Sequence, residues 1–128
     1  MRLLLDTQVL LWFAEDSPRL KNAIAEAIED SANEIMVSTV SLWEVAIKVR
    51  VGKLVADVPA LAASCVQNGF RLIDVTTKHV ARLAALPLVK GHRDPFDHLL
   101  LAQAVAEGAT FVSADAAASR YGVPVLPA

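Results

Sequence analysis

The chain has 128 residues, 55% of them hydrophobic, and a formal net charge of −2 at pH 7. A chain of this length predicts one domain with one core, and its charge excludes a globally positive surface for nucleic acid. Chemistry on nucleic acid is not excluded, because an enzyme can bind phosphate through metal ions and a local basic patch.

The only cysteine, Cys65, excludes an internal disulfide and a zinc site built from several cysteines. It lies in an apolar helical pattern, which favours a buried core residue over a nucleophile. The opening run, MRLLLD, is too short for a signal peptide, and no apolar stretch is long enough to span a bilayer. We therefore expect a cytoplasmic protein without membrane contact.

Short apolar runs alternate with helical patterns along the chain. The predicted strands span residues 3–5, 35–37, 71–74, 110–113 and 123–126. The predicted helices span residues 9–13, 17–30, 39–51, 57–68, 76–86, 95–107 and 116–120. This alternation predicts an α/β fold whose parallel sheet is built with right-handed crossovers.

Residues 92–98, HRDPFDH, begin a helix whose first turn is charged although the rest of the helix is apolar. From residue 99 to 106 its only polar side chain is Gln103, so the helix belongs in an interior. Its charged start suggests a site, but Asp94 as N-cap, Pro95 in the first position and Asp97 in the third are also ordinary helix-start chemistry. This stretch alone leaves both interpretations open.

Other acids fall where a parallel sheet forms its ligand site, at the carboxyl ends of the strands. Asp6 follows the first strand and Asp115 the fourth. Glu44 lies early in the helix after the second strand, on the flank of its apolar stripe; the alternative is a surface pair with Lys48 at i+4. Asp97 reaches the same edge if its helix runs antiparallel to the strands.

Clustered carboxylates favour a bound cation. Two of them about 4 Å apart repel by roughly 4 kcal/mol at an effective dielectric constant near 20, and a divalent ion relieves that repulsion. Oxygen ligands favour Mg²⁺ or Mn²⁺ over Zn²⁺. The chemistry that such a site predicts is phosphodiester hydrolysis.

Histidines and basic residues give weaker signals. His79 is expected on the surface of its helix, whereas His92 and His98 flank the acids and are candidate proton shuttles. Two short basic runs either bind RNA backbone or form solvated faces. They consist of Lys48, Arg50 and Lys53, and of Lys90 and Arg93.

Four segments, in this order, resemble PIN-domain proteins, and most closely the VapC-type toxins of toxin–antitoxin pairs. They are LLLDT at 3–7, SLWEVAIK at 41–48, HRDPFD at 92–97 with LLLAQA after it, and SAD at 113–115. The resemblance covers essentially the whole chain. It implies a three-layer αβα sandwich around a mostly parallel sheet of four to five strands, an Mg²⁺- or Mn²⁺-dependent endoribonuclease, a homodimer, and an inhibitory VapB-like antitoxin.

The resemblance also implies site residues. The catalytic and metal-binding acids would be Asp6, Glu44, Asp97 and Asp115. Asp94 matches a commonly acidic position and is expected to cap the helix or support the ligands rather than bind the ion. Gln8 stands where histidine is expected and His98 where arginine is expected, and both departures concern substrate handling rather than metal binding.

Two other functions are alternatives to a nuclease. A non-catalytic interaction or RNA-binding module on the same scaffold would gain little from clustered acids. A phosphoaspartate receiver domain would need a pair of acids after the first strand and a lysine after the last, but Asp6 stands alone and no lysine follows Lys90.

Overall fold

The computed structural model describes residues 1–128 and contains one five-stranded parallel sheet. Its order is β3-β2-β1-β4-β5. The strands are β1 (Arg2–Leu5), β2 (Glu34–Ser38), β3 (Arg71–Ile73), β4 (Thr110–Ser113) and β5 (Val125–Pro127). The predicted parallel α/β sheet is therefore confirmed, and β1, the first strand in the chain, lies at its centre.

Six helices and a short 3-10 helix connect the strands. They are α1 (Thr7–Ala14), α2 (Asn22–Glu29), α3 (Thr39–Arg50), α4 (Val58–Gln67), α5 (Thr77–Ala85), α6 (Pro95–Ala106) and the 3-10 helix Ala116–Tyr121. None of them combines the length and the apolar character that a membrane-spanning helix requires.

Two hydrophobic cores, one on each face of the sheet, give the expected three αβα layers. The side chains of β1 alternate between them, because successive residues of a strand point to opposite faces. Leu3 and Leu5 pack with α1, α2 and α4, whereas Leu4 packs with α6 and the 3-10 helix, and all three leucines are fully buried. This placement explains why the strand is apolar at consecutive positions.

The second helix begins later than predicted, at Asn22 instead of Ser17. The Ser17 hydroxyl accepts a hydrogen bond from the backbone N–H of Arg19, and the backbone N–H of Leu20 bonds to the Ser17 carbonyl. Such local side-chain bonding offers the backbone a turn in place of a helix.

The expectation that His79 lies on the surface was wrong. Its side chain is only 2% exposed and sits between α5 and α6. Nδ1 accepts a hydrogen bond of 3.0 Å from the backbone N–H of Thr76, and Nε2 lies 3.4 Å from a carboxylate oxygen of Glu107. Neighbouring polar groups satisfy the imidazole, which allows the residue to be buried.

Candidate functional site

An acidic cleft of about 280 Å³ opens where the carboxyl ends of β1 and β4 meet α3 and the start of α6. Five carboxylate side chains line this acidic cleft: Asp6, Glu44, Asp94, Asp97 and Asp115. The predicted acids therefore lie around one space. Since Asp97 shares it with both strand-end acids, α6 begins at the carboxyl edge of the sheet, as right-handed crossovers require.

Asp6 is the most firmly held acid. It caps α1 through a 2.7 Å hydrogen bond from the Val9 N–H to Oδ1, and its Oδ2 accepts a 3.1 Å bond from the Ala114 N–H after β4. Burial raises the pKa of Asp6, and the charge of Glu44 adds to that rise against the opposing hydrogen bonds. The backbone thus fixes this carboxylate in a place that disfavours its charge.

Both sequence interpretations of Glu44 hold in part. Its Oε2 accepts a 2.9 Å hydrogen bond from Lys48 Nζ, so the i+4 pair exists. The side chain is nevertheless buried in the cleft wall, where Oε1 accepts a 2.7 Å bond from the hydroxyl of Thr7. Thr7, which sequence reasoning missed, therefore connects α1 to the acid of α3.

The start of α6 supplies two acids with different environments. Asp94 is exposed and caps the helix, accepting bonds from the N–H groups of Phe96 at 2.9 Å and Asp97 at 3.4 Å. Burial, followed by the charge of Asp94, raises the pKa of Asp97 to about 6. The residues that begin α6 are thus also residues of the cleft.

His92 belongs to the site more closely than its sequence position indicated. Its Nε2 lies 3.3 Å from Asp97 Oδ2 and 3.4 Å from Asp115 Oδ2, and its Nδ1 lies 2.5 Å from the hydroxyl of Tyr121. The HRD sequence before α6 marked His92 as a candidate. Tyr121 had no local signal, because only the packing of the 3-10 helix brings it there.

The carboxylate oxygens of this site fit a hard divalent cation, and His92 lies beside two of them. One oxygen each of Asp97 and Asp115 and one ring nitrogen of His92 lie within 4.8 Å of one another. Lys48 is the one cationic side chain that lines the cleft, and it already pairs with Glu44. Burial and neighbouring acids disfavour the charges of Asp6 and Asp97, and a divalent ion held mainly by oxygen atoms would offset that penalty.

Comparisons with known proteins agree with one another. The sequence profile described as "PIN domain" matches residues 3–124. Ribonuclease VapC22 of Mycobacterium tuberculosis is 30% identical over 113 residues, which are 88% of this chain and 85% of that protein.

Solved structures show the same fold. VapBC2 from Rickettsia felis, bound to a DNA fragment from its promoter, matches with a TM-score of 0.74 and 20% identity over 98% of this chain and 97% of that one. DNA-bound VapBC from Salmonella typhimurium matches with a TM-score of 0.69 and 16% identity over 99% and 98%. The similarity thus extends over nearly the whole of each chain.

Proposed function

Because the chain belongs to the PIN-domain family and is of the VapC type, we propose that it is an Mg²⁺- or Mn²⁺-dependent endoribonuclease that hydrolyses RNA phosphodiester bonds. The observation that carries the proposal is the meeting of acids from both ends of the chain in one cleft. A non-catalytic module would not need buried carboxylates, which repel an RNA phosphate unless a cation intervenes.

In this proposal the catalytic and metal-binding residues are Asp6, Glu44, Asp97 and Asp115. Bound there, the ion would supply Lewis-acid activation of the phosphate and of a water nucleophile. Asp94 fixes the first turn of α6 and so positions Asp97. Thr7 and Lys48 each bond one oxygen of Glu44, which orients that carboxylate along the cleft wall.

His92 is the proton carrier in this proposal. Its Nε2 faces the carboxylates of Asp97 and Asp115, and the Tyr121 hydroxyl holds the other ring nitrogen. A proton held on Nε2 is available to the oxygen that leaves when the P–O bond breaks. The ring is more than nine-tenths buried, so it keeps one orientation.

The biological role proposed is that of a cytoplasmic toxin, active as a homodimer and inhibited by a VapB-like antitoxin. Its support is similarity to Ribonuclease VapC22 and to the VapBC complexes. The role predicts a small reading frame for the antitoxin beside this gene, and co-expression of the two products, followed by purification and an RNA-cleavage assay, tests it. A stable, inactive complex is expected, whereas undiminished cleavage beside the neighbouring product would contradict it.

Cleavage of single-stranded RNA in Mg²⁺ or Mn²⁺ tests the activity. Asp97→Asn should lower the rate at least about a hundredfold, because it removes a charged ligand without changing the shape of the side chain. Asp74→Asn is the matched control, since Asp74 is exposed outside the cleft. Full activity of Asp97→Asn at saturating Mg²⁺, or an inactive wild type with both ions, would overturn the proposal.

A further inference from the structure

A second, larger pocket adjoins the acidic cleft. It has a volume of about 420 Å³ and lies between the end of α5 and the loop that precedes α6. Its apolar wall consists of Leu83, Leu86, Pro87, Leu88 and Val89. Apolar pockets of this size with a few polar groups are typical sites for small ring-containing ligands.

Three aromatic rings, those of His92, His98 and Tyr121, also line this pocket. The centroid of the His92 ring lies 5.0 Å from that of His98 and 5.4 Å from that of Tyr121, and the rings of His98 and Tyr121 are 5.8 Å apart. His92 lines the pocket while its Nε2 faces the acids of the cleft. His92 therefore lies between the pocket and two of the acids that line the cleft.

Two polar side chains of the pocket, His98 and Arg93, could form a hydrogen bond and an ion pair with a ligand. His98 Nε2 bonds to the backbone carbonyl of His92 at 3.0 Å, whereas its Nδ1 makes no hydrogen bond within the protein. Arg93 lines the same pocket and directly precedes Asp94, which lines the cleft. A ligand with polar ring edges and an adjoining negative charge would match both groups.

We propose that this pocket binds an unpaired base of the RNA strand whose phosphate lies in the acidic cleft. This inference rests on the proposed function and adds a base-binding subsite to it. Unpaired bases stack on aromatic and histidine rings and expose donors and acceptors at their edges. Arg93 supplies positive charge to the neighbouring phosphate, which positions the strand without reading its sequence.

His98 is the specificity-determining residue of this subsite. It lines the pocket, and its Nδ1 makes no hydrogen bond within the protein and is free to bond a ligand. A purely apolar ligand would fill the apolar wall but would leave this nitrogen without a partner. The combination of aromatic rings, a free ring nitrogen and a guanidinium therefore favours a nucleobase.

Nuclear magnetic resonance of the full chain with the four nucleosides tests the subsite. Nucleosides carry no phosphate, so their binding does not depend on the acidic cleft or its cation. We expect adenosine, guanosine, cytidine or uridine to shift the methyl signals of the apolar wall and the imidazole signals of His98. One base is expected to bind more tightly than the other three.

Two variants and a control sharpen the test. His98→Ala removes a stacking face, and Leu88→Asp places a charge at a fully exposed rim position that tolerates substitution. Either change should weaken nucleoside binding about fivefold or more and raise KM for single-stranded RNA. Val66→Asp makes a similar change at an exposed position of α4, outside the pocket. It should alter neither nucleoside binding nor KM.

The possible outcomes separate this inference from the nuclease assignment. If nucleosides bind the pocket but the wild type cleaves no RNA, the subsite stands and the nuclease assignment fails. If RNA is cleaved but no nucleoside shifts the pocket signals, the subsite is overturned. It is also overturned if Leu88→Asp turns a dimer into a monomer in sedimentation while nucleosides leave those signals unchanged, because a second copy then covers the pocket.

Discussion

Helix α6 carries two buried polar clusters that differ in how their charges are compensated. Its first turn contributes to the acidic cleft, and its last turns contribute Gln103 to a cluster with His79, Thr76 and Glu107, here called the histidine cluster. Both clusters take polar side chains out of water. The histidine cluster pairs most of its polar atoms with complementary groups, whereas in the cleft burial and neighbouring acids disfavour the charges of Asp6 and Asp97.

In the histidine cluster nearly every polar atom has a partner. His79 accepts a bond from the Thr76 N–H at 3.0 Å, lies 3.4 Å from Glu107 Oε2, and has Gln103 Nε2 at 3.3 Å from Nδ1. Among its buried side-chain atoms, Gln103 Oε1 is the one oxygen without a hydrogen-bond partner. This cluster joins α5 to α6 and stabilises their packing.

In the acidic cleft, burial and like charges act together against ionisation. They raise the pKa of Asp97 to about 6 and also raise that of Asp6. A protein gains no stability from such an arrangement when no cation is bound. A buried polar cluster therefore indicates function when its own neighbours leave the charges uncompensated.

Removing the imidazole at the centre of the histidine cluster should have the largest effect on stability. His79→Ala removes the imidazole beside the Glu107 carboxylate and the shorter of the two contacts of Gln103, and it opens a cavity, so the free energy of unfolding should fall by about 2–4 kcal/mol. Urea denaturation measures this change, and Lys78→Ala, at the exposed neighbouring position, is the matched control. RNA cleavage per folded molecule should not change. A loss below about 1 kcal/mol, or a loss of activity in folded protein, would contradict the division between the clusters.

The two clusters were not equally predictable from the sequence. Asp6 and Asp115 stand directly after apolar runs, and the edge where parallel strands end is fixed by the fold, so their meeting could be predicted. The sequence does carry a signal for the burial of His79: His79, Leu83 and Leu86 are spaced i, i+4 and i+7, which places them on one helical face. Reading that face as apolar would have placed His79 inside.

Other parts of the site had no local signal. The contact between His92 and Tyr121 depends on how the 3-10 helix packs against α6, and no spacing in the sequence encodes it. The same is true of the hydroxyl of Thr7 at Glu44. Sequence reasoning therefore found the acids that the sheet positions and missed the groups that tertiary packing brings to them.

The uncompensated charge of Asp97 should make the stability of the protein depend on pH. Asp97 has a pKa of about 6 in the folded chain against an ordinary value of 3.8, so the folded state holds the proton more tightly. Its contribution to stability is full below pH 3.8 and is lost as the pH rises through 6. Allowing for partial exposure, about 1–2 kcal/mol should be lost between pH 4 and pH 7 without divalent ions.

Comparison with Asp97→Asn isolates that contribution, because the variant does not titrate at this position while every other group does. The wild type should lose stability relative to Asp97→Asn as the pH rises, and saturating Mg²⁺ at pH 7 should restore it. Equal pH dependence of the two proteins would show that Asp97 carries no such penalty.

The smallest effect is expected at Gln103. Gln103→Leu removes the unpaired Oε1 together with two long contacts of Nε2, 3.3 Å to His79 Nδ1 and 3.5 Å to the Asp74 carbonyl. Because His79 keeps its bond from Thr76, the free energy of unfolding should change by less than about 1 kcal/mol. Gln103→Ala, which opens a cavity in the same place, should cost more. Equal losses in both variants would mean that the amide bonds, and not the volume, matter here.

Calorimetric titration with Mn²⁺ is the most direct test that the converging carboxylates form a cation site. We expect binding to the wild type, competition by Mg²⁺, and affinity at least about tenfold lower in Asp6→Asn and Asp97→Asn, with Asp74→Asn unchanged. Absence of binding to the wild type, or equal affinity in all four proteins, would contradict the account.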